Sequence, residues 1–170
     1  VRVPISNVIG GERGLGQGFK IAMQVLDSGR ISVAASAVGM ARRLIDEAAR
    51  YAVQRKQFGQ PIANFQLIQA MLADSETEYL AGHSLVMQAA ETLQRGGDAR
   101  SLAAAAKYFC SEALSRIADR ALQIHGGSGY VAEHHVERLY RDARALRIYE
   151  GTSQVLQLVI ARAMLKRYQD

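Results

Sequence analysis

The segment Arg141 to Thr152, R-D-A-R-A-L-R-I-Y-E-G-T, places the carboxylate Glu150 among basic and apolar residues, with Gly151 and Thr152 directly after it. A threonine there can open a helix, and a helix start offers free backbone N–H groups and a partial positive charge. Such a setting keeps a carboxylate ionised and aims it, as a general base requires. The same residues also describe a turn glutamate ahead of a helix N-cap.

Other residues with chemical potential are spread along the chain. Arg55 falls at the end of a long helical pattern, where a cation suits the helix dipole. A glycine run at Gly126, Gly127 and Gly129 could bring backbone amides to phosphate oxygens or simply stop a helix. Asp27 and Arg30 are spaced for an i, i+3 ion pair. His125, beside two glycines, could titrate near neutral pH, but the sequence offers it no partner, which favours packing or hydrogen bonding. His134 and His135 read as exposed. Cys110 lies on an apolar helical face as a buried, inert thiol and, being single, forms no internal disulfide; this fits a reducing compartment. No ligand spacing points to a metal.

The elements that must position these groups are helical. The chain has 170 residues, 49% of them hydrophobic, with two prolines and no tryptophan. That profile fits one domain of closely packed helices. Val1 to Pro4 alternates like the end of a strand, and a glycine-rich loop follows. From Gly18 an apolar face recurs at three and four (Phe19, Ala22, Met23, Leu26 and onward to Ala52) for roughly 37 residues, a rod of ~55 Å. Gly59, Gln60 and Pro61 end it. A second helix runs from Asn64 as N-cap to Arg95, and a third, capped by Asp98, reaches the glycine run with Leu102, Ala105, Ala106, Phe109 and Leu114 on its core face. A short helix spans His134 to Arg141, and the last opens near Thr152. Long helices with short loops predict an all-α fold, an antiparallel up-and-down four-helix bundle over 18–170, preceded by 1–17 as the remnant of a β-domain and loop. The +5 charge is not massed in a stripe with aromatics, which argues against nucleic acid and suits anionic ligands. No apolar run approaches a membrane span, and no targeting segment is visible.

The order of motifs resembles the C-terminal domain of the flavin-dependent acyl-CoA dehydrogenases. V-P-I-S-N-V-I-G-G-E-R-G-L-G-Q-G-F, L-D-S-G-R, R-K-Q-F-G-Q-P-I, Q-I-H-G-G-S-G-Y, E-R-L-Y-R-D-A-R and I-Y-E-G-T-S-Q follow one another in the family's order, from Val1 to about Lys166. The resemblance implies that Glu150 removes the α-proton of an acyl-CoA thioester while FAD accepts the β-hydrogen. It implies that Arg55, Lys56, Gln57, Phe58, Phe65 and Gln66 reach the ADP half of a flavin on a neighbouring subunit. Gln123, Ile124, His125, Gly126 and Gly127 would cradle its pyrophosphate and adenosine, and Thr152 and Gln154 would touch the flavin. Asp27, Ser28, Gly29, Arg30, Tyr149 and Gly151 would lie on the substrate side. In some branches the base is a glutamate just before the arginine of L-D-x-x-R; here that position is Gly29, so Glu150 has no competitor. A mid-helix glycine costs about 1 kcal/mol against alanine, and room for a ligand or close helix packing could account for it.

The family's usual polypeptide is about twice this long, and its preceding helical and β-domains are not in this sequence. The expectation is therefore a dehydrogenase domain that self-associates as a homodimer or homotetramer, donates electrons to an electron-transfer flavoprotein when intact, and is inactive alone. It would lie in a bacterial cytoplasm or a mitochondrial matrix. An acyl-CoA oxidase, a flavin monooxygenase of the same fold, and a non-catalytic helical assembly module are the alternatives.

Overall fold

A computed structural model describes residues 2–169. Among the described residues five α-helices carry the fold: α1 Gly18–Gln54, α2 Gln66–Gln94, α3 Arg100–His125, α4 His135–Ala145 and α5 Ser153–Lys166. The fold is helical, as expected, with one small exception. Lys56–Gln57 (β1) and Gln60–Pro61 (β2) pair antiparallel in a hairpin between α1 and α2. Its two central residues, Phe58 and Gly59, both have positive φ, 51° and 80°, the geometry of a tight hairpin turn.

α1 has the 37 residues its periodicity predicts, but it stops at Gln54, ahead of the expected Gly59. Arg55 turns into extended backbone there to feed the hairpin. Asn64 does not cap α2; it closes a short 3-10 turn, Ile62–Asn64, and Phe65 occupies the cap position. Asp98 stands one residue outside the α3 cap, Ala99, yet its carboxylate still accepts the Arg100 N–H at 3.1 Å. Arg2–Pro4 form no strand, and Val1 lies outside the described residues.

α1, α2 and α3 pack pairwise, α4 and α5 both pack on α3, and α4 also touches α1. The core is rich in small side chains: Ala34, Ala37, Ala41, Ala48 and Ala52 of α1 and Ala103, Ala106, Ala113, Ala118 and Ala121 of α3 are all buried. Such residues let helix axes approach. At Gly82 of α2 an added Cβ would sit 3.1 Å from the Cys110 sulfur, so the α2 backbone rests directly on that α3 side chain. Cys110 is buried as expected.

The N-terminal part of α1 departs from the expected core face. Phe19 is 82% exposed, and Ala22 and Met23 are exposed too. The apolar periodicity is real, but α2 and α3 begin to cover α1 only from about Arg30, the first buried residue of the helix. The uncovered stretch forms one wall of an apolar groove of about 570 Å³, with Val8 and Ile9 opposite Ile21, Ala22, Val25 and Leu26.

Candidate active site

The predicted site residues fall into two groups, one beside Gly29 and Arg30 within α1 and one at its C-terminal end. The first surrounds the turn between α4 and α5. Thr152 opens α5 as the N-cap, its hydroxyl accepting the Val155 N–H at 3.3 Å. Glu150 and Gly151 before it have positive φ, 56° and 92°. Glu150 is thus a non-glycine residue held in the left-handed region, a conformation uncommon outside functional and turn positions.

The Glu150 carboxylate lies against α1. A Cβ built on Gly29 would meet Oε2 of Glu150 at 2.9 Å. The mid-helix glycine therefore makes room for this side chain, a third possibility beyond a bound ligand or helix packing. Oε2 is buried and has no hydrogen-bond partner among the described residues. Arg30, one residue on, is 5% exposed; its Nη1 donates to Asp27 at 2.9 Å, completing the predicted i, i+3 pair, while its Nε is buried without a partner. A Cβ on Gly151 would lie 4.0 Å from Arg30 Nη2, so Arg30 and Gly151 share this corner. Asp27 and Ser28 also line a small pocket of about 190 Å³ with Asp98 and Arg100. Tyr149 and Gln154 are exposed beside the turn.

Two residues of α3 that sequence reasoning passed over hold the turn in place. Lys107 is fully buried, and its ammonium donates to the Gly151 carbonyl at 2.6 Å. Burial pushes its pKa below the usual lysine range, and the Arg30 cation pushes the same way, against the opposing pull of Glu150 and Glu112. Glu112 accepts from Arg147 Nε at 2.8 Å and from the Ser153 hydroxyl at 2.5 Å, tying together the residues that flank the turn. A signal for Lys107 was present: it lies four after Ala103 and three before Cys110, on a face that is otherwise apolar.

The second group gathers at the C-terminal end of α1. Tyr51, Arg55, Gln57, Ile62, Ile124, His125, Gly126, Gly127 and Ser128 line a cavity of about 540 Å³, which unites the two predicted dinucleotide segments. Gly126 has φ 58° and ψ −139°, and an added Cβ at either Gly126 or Gly127 would meet nothing within 4 Å. The cradle is open at its backbone. His125 has the packing role expected of it. It is buried, stacks on Tyr51 with ring centroids 4.4 Å apart, and its Nδ1 donates to the Ala121 carbonyl at 2.8 Å. His135 is exposed, whereas His134 is only half-exposed and stands edge-on to His125. Phe58 and Phe65 meet edge to face at 6.0 Å, and Phe58 is 91% exposed. Lys56, Gln66 and Gln123 are exposed nearby.

About 26 residues along α1 separate Gly29 from Arg55, and at 1.5 Å each they put roughly 39 Å between the groups. A further groove of about 930 Å³ between α3 and α4, lined by Arg116, Arg120, Arg141, Arg144 and Arg147 among others, contains none of the predicted site residues. Among the described residues, no three His, Cys, Asp or Glu side chains gather as a metal site, and no helix is long and apolar enough to cross a membrane.

Residues 16–165 match the sequence profile of the acyl-CoA dehydrogenase C-terminal domain. The chain belongs to the acyl-CoA dehydrogenase family. It is 50% identical over 166 residues to a 3-(aryl)acrylate reductase of Clostridium sporogenes, covering 98% of this chain and 43% of that protein. Its structure superposes on butyryl-CoA dehydrogenase of Megasphaera elsdenii with a TM-score of 0.87 and 45% identity, over 88% of this chain and 39% of the other. An acyl-CoA dehydrogenase of Bacillus anthracis, solved with FAD, gives a TM-score of 0.85 at 35% identity, over 90% of this chain and 30% of that one. The acyl-CoA dehydrogenase domain described here thus spans less than half the length of these relatives.

Proposed function

We propose that this domain supplies the base and half of the dinucleotide site of an FAD-dependent enzyme acting on the α,β bond of acyl-CoA thioesters. The observation that carries this is the Glu150 carboxylate, with one oxygen buried against Gly29 and unpartnered. A carboxylate free of competing donors is available to take a proton. The Glu150 backbone N–H, turned by the same positive φ, can help hold a thioester oxygen as negative charge develops there.

The residues present fit FAD. The open Gly126–Gly127 backbone beside Arg55 and Gln57 suits a pyrophosphate, which takes backbone N–H groups and a guanidinium. Bound flavin would supply the two-electron acceptance that takes the β-hydrogen. The chain's own residues bind, orient and remove the α-proton. The ~39 Å along α1 between Gly29, where the Glu150 carboxylate rests, and Arg55 is longer than an extended dinucleotide, so on this reading the two groups of one chain serve different flavins. This supports a site shared between two copies, and the exposed Phe58, braced edge-on by the half-buried Phe65, suits contact with a neighbour. An electron-transfer flavoprotein is the proposed acceptor.

The 50%-identical relative is named a reductase. That favours a second reading, in which the same geometry works in reverse and Glu150 donates the proton to the α-carbon. The test is a chimera in which residues 1–170 replace the C-terminal part of the Megasphaera elsdenii butyryl-CoA dehydrogenase. Anaerobic mixing with butyryl-CoA should bleach the flavin, and Glu150→Gln should bind thioester yet slow bleaching by at least 10²–10⁴. A Gln variant that bleaches at a near-normal rate would move the base elsewhere. Mixing crotonyl-CoA with the photoreduced chimera measures the reverse direction.

A further inference from the structure

We propose that Lys107 is the positioning residue of this site, its ammonium fixing the Glu150–Gly151 turn through the Gly151 carbonyl. The proposal rests on the assignment of Glu150 above. A lysine is almost never fully buried unless paired, yet Lys107 has no exposed surface. It takes part in no salt bridge among the described residues, and its recorded partner is a backbone oxygen, 2.6 Å away. The bond spans 44 residues of sequence, from the N-terminal third of α3 to the turn. Burying a cation for structural packing alone is costly, and an apolar side chain of similar volume would fill the space more cheaply. What an apolar residue could not do is orient a peptide plane.

That peptide plane matters because it joins Gly151 to Thr152. On its one side Glu150 and Gly151 hold φ of 56° and 92°; on the other, Thr152 caps α5. With the carbonyl held, the backbone on either side cannot rotate freely. Glu150 then keeps its carboxylate turned toward Gly29 of α1. Without the bond, Glu150 would have little reason to keep its left-handed φ, which costs a non-glycine residue free energy that the surroundings must offset, while Gly151 would be free to turn either way. Glu112 secures the flanks at Arg147 and Ser153 but reaches neither Glu150 nor Gly151. Lys107 is the α3 side chain that grips the turn at its centre.

Two measurements test this. In the isotope-labelled 170-residue chain, the Lys107 Nζ protons should resist exchange with water and show a through-bond coupling to the Gly151 carbonyl carbon. Lys107→Met should shift the amide signals of residues 149–153 and speed their hydrogen exchange while α1 and α2 keep theirs. Rapidly exchanging Nζ protons without coupling in the unaltered chain, or an unchanged turn in the variant, would overturn the proposal. The first readout needs no variant, so it stands even if Lys107→Met fails to fold. In the chimera, Lys107→Met should lower the flavin-reduction rate constant about 10²-fold, the loss a 1 Å misplacement produces, with little change in thioester binding. Lys107→Gln, which keeps a donor on a shorter stem, should recover part of it. A variant that merely melts earlier and reduces flavin at the full rate would show Lys107 to be structural only. A failed Glu150→Gln test would sink the base assignment and leave the resonance result standing.

Discussion

Replacing Gly29 by alanine should stabilise the bundle and impair the base at the same time. Gly29 lies inside α1, well away from either end, so alanine should gain about 1 kcal/mol of helix propensity. Against this stands one contact. The new Cβ would sit 2.9 Å from Oε2 of Glu150, 3.4 Å from its Cδ and 3.6 Å from Oε1. All three atoms belong to the end of a flexible side chain, so the carboxylate can swing away and no backbone need move. Its displaced oxygen has no hydrogen bond to lose. The gain in propensity should therefore survive almost whole, raising Tm by about 2–4 °C for a chain of this length. Thermal unfolding followed at 222 nm measures it. In the chimera the same change should slow flavin reduction about 10²-fold, since the carboxylate has left its place. A Tm that falls by several degrees would show that Glu150 is too rigidly held to yield. Undiminished flavin reduction would show that the observed carboxylate position is not the working one.

Gly126→Ala should cost about 1–3 kcal/mol by backbone strain alone, because φ 58° with ψ −139° suits glycine and no neighbour obstructs the added methyl; an unchanged denaturation midpoint would contradict this. Burial holds the His125 imidazole below its ordinary pKa, so the folded state keeps it neutral. Its contribution to stability is full above the unfolded value near 6.5 and declines as pH falls below that toward the folded value. Urea midpoints from pH 7 to 5 should drop less steeply in a folded His125→Asn variant, and equal slopes would refute it. Cys110, raised to about 12 by burial, should resist thiol reagents at pH 8 until the chain unfolds. The 170-residue chain alone should bind FAD weakly and not turn over acyl-CoA, since its two site groups lie too far apart to hold one dinucleotide; stoichiometric yellow protein would overturn this.

The helices were legible because apolar spacing and glycine stops are local signals. Thr152 shows this well: a capping residue after a glycine marks the start of α5 to within one residue. The start of α1 shows the limit, since periodicity reports an apolar face but not whether anything covers it. Phe19 and Met23 obey the pattern and remain exposed. Glu150, Arg55 and the Gly126 loop were singled out by motif, and the fold brings Arg55 and the Gly126 loop to one cavity. The reason for Gly29 was not, because the atom it makes room for comes from about 120 residues further along the chain. Lys107 was missed for a related reason. In a sequence a lysine reads as solvated, and only the fold shows a carbonyl waiting for it.

The ~39 Å along α1 between Gly29, on which the Glu150 carboxylate rests, and Arg55 would have a genetic consequence. In the shared-site arrangement, each site draws its carboxylate from one copy and its guanidinium from another. A chain damaged at Glu150 and a chain damaged near Arg55 would each be inactive by itself. Mixed in one dimer, they place both lesions in one site and leave the other intact. Two defective alleles of this gene could then complement each other, whereas two alleles lesioned in the same group of residues could not.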